Sequence, residues 1–321
     1  MEKTKEKIDH TARLNDQIAS KLQEIVDALD NGVSADQFEM PFKSVGCRPY
    51  NPATGHAATG TNALIAMMFG ATYYSTYDGW QKLGYQVVTK APMYMARPKK
   101  FKIEAEKSPS GEDEWRVGGF DSFAVWPFQD VVLRTQESDA KLRNKPKHPL
   151  PATPWTPPAI KTRDDTEIVS LADAFIAATG ARITYTGEGR AFYRPSTDDI
   201  TMPHRAMFNA TKTSTATEAF YSTLCHELTH WTGNKKRCDR LDDKSKRGYA
   251  FEELVAEIGA LLLCADLGIS ASMRADHVQY IASWLKALND DRQYIFSAGK
   301  QSQKAVDFLH GLQPQQLTKA A

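Results

Sequence analysis

No apolar run in this 321-residue sequence reaches the roughly 18 residues that a membrane-crossing helix needs. The charged amino terminus, MEKTKEKIDHTARLNDQ, lacks the apolar core of a signal peptide, so nothing directs export and the chain reads as cytoplasmic. Cysteine is scarce. Cys47, Cys225, Cys238 and Cys264 make no C-x-x-C pair, which excludes a disulfide framework and fits reduced thiols. An excess of either charge is also missing: the net charge is +1, so any nucleic-acid binding must come from local patches. There are no internal repeats, no phosphate-binding loop and no dinucleotide fingerprint. What is present, 41% hydrophobic residues with 10% aromatics, is ample for buried cores, and the length suggests about two domains.

The chain is organised around Tyr221 to Glu257. His226-Glu227-Leu228-Thr229-His230 fits H-E-x-x-H, which puts both imidazoles on one face of a helix where they can share a metal ion. Glu227 is then the general base that activates a water. A hydrolytic site of this kind needs a third protein ligand. Glu252, Glu253 and Glu257 are candidates on a second apolar-periodic stretch, Ala250 to Leu267. Glu253 and Glu257 are four apart and share a face, so we assign Glu253 as ligand and Glu257 as the carboxylate that orients a histidine. That order resembles the E-x-x-x-D helix of thermolysin-like zinc peptidases, with Glu257 in place of the Asp. Zinc is the expected ion, with another divalent metal as the alternative. Against a surface helix carrying two solvated histidines stands the apolar stripe Phe220, Leu224, Leu228 and Trp231, followed by Gly233 at the C-cap position. Tyr193, His204, Tyr221 and Tyr249 are candidate donors to the oxyanion, and the sequence does not choose among them.

Along the chain, apolar spacing predicts a helix over Asp9 to Leu29 and another opening at Thr61-Asn62. Short β-rich runs follow at 86–88, 93–95 and 101–103. A turn-rich interval at 108–113 then precedes a strand pair, 114–117 and 120–126, joined at Gly118-Gly119. The Pro-rich stretch Leu142 to Pro158 reads as a linker. Beyond it come a helix over Thr166 to Thr179, strands at 183–185 and 191–193 about the turn Gly187 to Gly189, and another strand ending at Pro203. Asp199 to Met202 is a candidate edge strand for holding an extended substrate, and an ordinary sheet strand under the helices is the alternative. Helices over His277 to Leu288 and Ser302 to Leu312 complete the chain.

Between Phe38 and Ser110 basic residues outnumber acidic ones and alternate with aromatics, a mixture that suits single-stranded nucleic acid. The candidates are Lys43, Arg48, Tyr50, Asn62, Trp80, Lys82, Lys90, Arg97, Lys99 and Lys100. The competing reading places the aromatics in a core and the lysines on a solvated face.

YRPSTDDITMP (193–203), FYSTLCHELTHWTG (220–233), YAFEELVAEIGA (249–260) and YIASWLKALNDDRQYIFSA (280–298) resemble the ArdC-type antirestriction proteins of plasmids and phages, with their polyvalent-protein metallopeptidase domain. RPYNPATGHAATGTNAL (48–64), GWQKLGYQVVTKA (79–91) and FAVWPFQDV (123–131) resemble that family's N-terminal single-stranded-DNA-binding domain. Phe38, Phe42, Ala58 and Thr59 depart from its pattern. The resemblance implies an α+β chain of two domains. The first, over 1–141, is a small-sheet domain that binds single-stranded DNA; a linker spans 142–160. Over 161–321 lies a mainly helical, zincin-like metallopeptidase domain. Such a protein protects incoming DNA from restriction, and its peptidase acts on a protein target yet to be identified. The alternative is a non-proteolytic DNA shield whose metal site is structural or cryptic.

Overall fold

The computed structural model describes residues 9–31, 43–89, 91–107, 113–142, 145–159, 163–210, 214–242, 246–272, 278–291 and 293–314. Phe38, Phe42 and Lys90 lie outside them, as do the side chains of Lys43 and Lys100. Helix α1 (His10–Asp30) buries Leu14, Ile18 and Leu22, the apolar spacing read from its sequence. After it come β1 (Lys43–Val45), β2 (Tyr50–Asn51), β3 (His56–Ala57), α2 (Gly60–Met68), β4 (Tyr74–Ser75), α3 (Tyr77–Lys82) and β5 (Tyr85–Val87). A long hairpin, β6 (Met93–Lys107) against β7 (Asp113–Pro127), leads to β8 (Val131–Leu133) and α4 (Gln136–Ala140). The second half runs α5 (Asp165–Thr179), β9 (Arg182–Thr186), β10 (Phe192–Arg194), β11 (Asp199–Pro203), α6 (Ala216–Thr232), α7 (Lys246–Leu267), β12 (Ser270–Ser272), α8 (Val278–Asp290) and α9 (Tyr294–Gly311). This is the expected α+β organisation, a small-sheet first half and a helical second half. Among the described residues no helix is long and apolar enough to cross a membrane.

Two local expectations are corrected. Gly118-Gly119 is not a turn but lies inside β7. Pro98 faces Phe120 and Lys100 faces Val117, so the two glycines oppose Lys99 alone in a β-bulge, and Gly119 takes φ 143. Proline without an N–H and glycine without a Cβ make the bulge at a point that reads locally as a break. In the second half β9 and β10 do not pair with each other. β11 lies between them, antiparallel to β10 and parallel to β9. Ile200 and Met202 are fully buried there, so Asp199 to Met202 is the middle strand and offers substrate no free edge. The edges belong to β9 and β10.

Among its described residues the Pro-rich stretch has no regular structure, yet it is packed. The Trp155 amide donates to the Leu83 carbonyl at 3.1 Å, and its carbonyl accepts from the Tyr85 hydroxyl at 2.8 Å. Its ring lies against Tyr73, Trp80 and Phe128. The two halves also share one continuous core. β1 pairs with β12, α1 packs on α8, and Phe120 stacks on Phe296 with ring centroids 4.9 Å apart.

A polar lock adds to this core. Arg48 donates from Nε and one Nη to the two oxygens of Asp266 on α7, at 2.6 and 2.7 Å, while His310 of α9 meets the same carboxylate at 2.8 Å. Burial, the largest influence on Asp266, raises its pKa, but His310 and Arg48 outweigh it and hold the carboxyl below its ordinary value of 3.8. A depressed carboxyl pKa gives stability that is present above the unfolded value and lost as pH falls through the folded one. Asp266→Asn leaves Arg48 buried without its counter-charge, so it should lower unfolding stability by about 3 kcal/mol at pH 7. Urea unfolding at pH 7 and pH 3 checks this: the variant's deficit should shrink in acid.

Candidate metal centre and nucleic-acid groove

Helix α6 starts from a capping box in which the Thr215 hydroxyl accepts from the Glu218 amide and the Glu218 carboxylate accepts from the Thr215 amide. Its apolar stripe is buried, with Phe220, Leu224, Leu228 and Trp231 at most 7% exposed, which rules out a solvated surface helix. Gly233 caps it as expected but at φ −71, an ordinary right-handed conformation. Helix α7 comes unusually close to α6 at Gly259. A Cβ there would lie 2.5 Å from Cγ2 of Thr229, a residue inside the H-E-x-x-H motif. This close approach brings the α7 glutamates to the motif histidines.

The Nε2 atoms of His226 and His230 lie 3.0 Å apart. Glu253 turns one oxygen to each, 3.5 Å from His226 and 3.6 Å from His230. One ligand atom from each of the three residues falls within 4.8 Å of the others. Each Nδ1 faces outward onto a different carboxylate, His226 onto Glu257 at 3.2 Å and His230 onto Glu252 at 3.0 Å. With a carboxylate beside each Nδ1, both Nε2 atoms are turned into one space, the donor set a divalent ion uses. Burial lowers the basicity of both histidines, but the surrounding carboxylates raise it by more, His226 upward and His230 to about 10. The same contacts outweigh burial at Glu253 and hold it far below the usual carboxylate range. The space is built to hold positive charge. Glu227, 4% exposed, sits beside His226 in the motif, and Cys225 is a buried packing residue beside Cys264.

Sequence reasoning missed Arg240 and named Glu252 only as a candidate ligand. Arg240 grips Glu252 through Nε at 2.8 Å and an Nη at 2.9 Å. Arg240 lies in a loop, where no periodicity marks it.

The oxyanion candidates divide. The Tyr221 hydroxyl donates to Asp173 at 2.6 Å, and that of Tyr193 donates to Asp198 at 3.0 Å while accepting from Asn234. Tyr249 is 56% exposed and stands four residues before Glu253 on α7; His204 is exposed after β11.

The DNA candidates divide as well. Trp80 is 0% exposed and has no ring face to offer a base, because the aromatic cluster around Trp155 encloses it. Arg48 is committed to Asp266 as described. Tyr50 is half-buried, and exposed Lys99 pairs with Asp121. Asn62, Lys82 and Arg97 come together in a groove of about 390 Å³ that Tyr74, Asp78 and Phe123 also line. Both polar atoms of the Asn62 side chain are held by the Ala96 backbone, each at 2.8 Å. The Arg97 guanidinium lies 5.9 Å from the Phe123 ring centroid.

Residues 14–125 match the family model described as the N-terminal domain of anti-restriction factor ArdC, and residues 170–301 match a zincin-like metallopeptidase model. The chain is 31% identical over 314 residues to an uncharacterized protein, y4eC, of Sinorhizobium fredii, covering 90% of each. It is 32% identical over 277 residues to the DNA primase TraC of Escherichia coli, matching 84% of this chain but 18% of that longer protein. The crystal structure of the metal-free antirestriction ArdC protein from plasmid R388 superposes with TM-score 0.63 at 29% identity, over 92% of this chain and 96% of that one. The Mn(II)-bound structure of the same protein gives 0.60 over 91% and 96%.

Proposed function

Because the chain belongs to the ArdC-type antirestriction family, we propose that it joins a groove for single-stranded DNA to a divalent-metal-dependent peptidase centre. The observation that carries the catalytic half is the convergence of two Nε2 atoms and a carboxylate in a buried space, with each Nδ1 held by a further carboxylate. His226, His230 and Glu253 are the residues that would hold the ion. The Mn(II)-bound relative supports a divalent metal, and zinc suits this donor set. An ion there would supply a Lewis acid and ease deprotonation of a water. Glu227 takes that proton and returns it to the leaving amine. Of the four oxyanion candidates we assign Tyr249, which is exposed and stands one turn before Glu253 on α7. The substrate class is a peptide bond in a protein partner.

Glu227→Gln should keep metal affinity within about twofold while cutting turnover of a labelled unfolded protein by a factor of roughly 10² to 10⁴. Equal turnover by both proteins would remove Glu227 from the chemistry. A second reading, a DNA shield with a structural metal, draws on the commitment of Tyr193 and Tyr221 to carboxylates. DNA protection that survives Glu227→Gln favours it.

For the DNA half, the groove offers a cation, Arg97, beside an aromatic face, Phe123, the pairing used to follow a backbone and stack a base. Phe123→Ala should weaken binding of a labelled oligonucleotide by about 1–3 kcal/mol. Arg97→Ala should flatten the salt dependence by about 0.7 in log–log slope. The full chain is required, because β1 of the first half pairs with β12 of the second.

A further inference from the structure

Both motif histidines have a carboxylate at Nδ1, and the one at His230 is itself held from outside. Glu252 uses Oε1 for His230 Nδ1 at 3.0 Å and for an Arg240 Nη at 2.9 Å, and it uses Oε2 for Arg240 Nε at 2.8 Å. Arg240 is only 4% exposed at its side chain, and Glu252 only 11%. The remaining guanidinium donors turn back to the end of α6: one Nη donates to the Thr232 hydroxyl at 2.7 Å, and the other also reaches the Thr229 carbonyl. Thr229 and Thr232 are fully buried. The chain of contacts therefore leaves His230 on α6, passes through Glu252 on α7 and Arg240 in the loop that joins the two helices, and closes on the last turn of α6.

From this closed circuit we propose that Arg240 and Glu252 are positioning residues that fix the His230 ring for a metal ion, an inference that rests on the metal-centre reading above. The physical argument has two parts. A carboxylate at Nδ1 receives the ring N–H there, so that Nε2 is the nitrogen that gives its lone pair to the metal. A buried carboxylate free to rotate would set neither the tautomer nor the ring plane. The planar fork of Arg240 engages both oxygens of Glu252 and stops that rotation, a task that a single ammonium group cannot perform. The three α7 glutamates thus divide the work: Glu253 faces both Nε2 atoms, Glu257 holds His226, and Glu252 holds His230 under the control of Arg240.

The test uses the full-length protein, with Co²⁺ as a spectroscopic probe and Mn²⁺ in competition with a chromophoric chelator. Wild type should bind both ions and give a defined Co²⁺ absorption spectrum. Glu252→Ala should weaken binding by about 10- to 100-fold and shift the spectrum. Arg240→Lys, which keeps the charge and loses the fork, should do the same to a smaller degree. Glu252→Gln, which keeps an acceptor for Nδ1–H, should recover part of the loss. If wild type binds neither ion, the metal-centre reading itself is wrong. If wild type binds and both Glu252→Ala and Arg240→Lys match it in affinity and spectrum, the positioning role is overturned. A Glu252→Gln protein as impaired as Glu252→Ala also overturns it, since charge alone would then explain the effect. Should Glu252→Ala fail to fold, the Gln and Lys variants decide the question by the same criteria.

Discussion

Glu253→Ala should abolish high-affinity divalent-metal binding, with a loss of at least about a thousandfold, or roughly 4 kcal/mol. Glu253 is the anionic member of the cluster, and its two oxygens are shared between the two imidazoles at 3.5 and 3.6 Å. Without it, two neutral nitrogens are left to hold a doubly charged ion. The readout is thermal unfolding with Mn²⁺ or with chelator. An ion at a hundredfold excess over its dissociation constant stabilises the native state by about 2.7 kcal/mol, so wild type should melt higher with metal than with chelator. For the variant the two melting curves should coincide. A pH dependence follows from the same site. In the metal-free protein burial depresses His230, but Glu252 and Glu253 outweigh it and carry its pKa to about 10. At neutral pH an incoming ion must therefore displace a proton, and metal affinity should rise with pH. The raised histidine pKa also means that its pairing stabilises the metal-free fold at low pH and is lost as pH climbs toward that value. Affinity that does not change between pH 6 and 8 would contradict this account.

Gly259→Ala should be the most damaging single-methyl addition near the centre. The new Cβ would lie 2.5 Å from Cγ2 and 2.7 Å from Oγ1 of Thr229, closer than real atoms approach. Thr229 cannot simply turn away, because it is fully buried and its hydroxyl donates to the Cys225 carbonyl at 2.8 Å. The helices must move apart. Overpacking of this kind costs about 1–3 kcal/mol. The functional effect should be larger, because α6 carries two of the proposed ligands and α7 the third; a displacement near 1 Å at such a constellation loses on the order of 100-fold. Thr229→Ala removes both offending atoms. The double variant should therefore bind Mn²⁺ more tightly than Gly259→Ala alone, a coupling that a double-mutant cycle measures directly. If adding Thr229→Ala restores nothing, the helix contact is not what sets the geometry.

The parts of this molecule that a reader of the sequence can find are those encoded by spacing along one element. His226 and His230 four apart, Glu253 and Glu257 four apart, and the stripe from Phe220 to Trp231 all declare a helix face. The rest depends on partners far away in the chain. Arg48 reads as a free cation in a basic interval, yet its partner Asp266 lies 218 residues on. Trp80 has the look of a stacking platform, and only the packed neighbours show that it is enclosed. β11 has the length and polarity of an edge strand, but strand order is a property of the sheet and leaves no local mark. The β7 bulge misleads for a different reason: Gly118-Gly119 carries the chemistry of a turn and is used for a kink. Glu252 illustrates a limit of periodicity itself. Next to a ligand in sequence, it sits about 100° around the helix from it and can still reach the same histidine from the side.

The pairing of β1 with β12, and of α1 with α8, has a consequence for how such a protein can be moved or cut. A chain severed in the Pro-rich stretch should not fall into two bodies, because each fragment supplies a strand or a helix that the other needs; co-expressed fragments should co-purify and complement one another. A recombination that carried off one fragment alone should deliver a chain that lacks the strand and helix partners of the other.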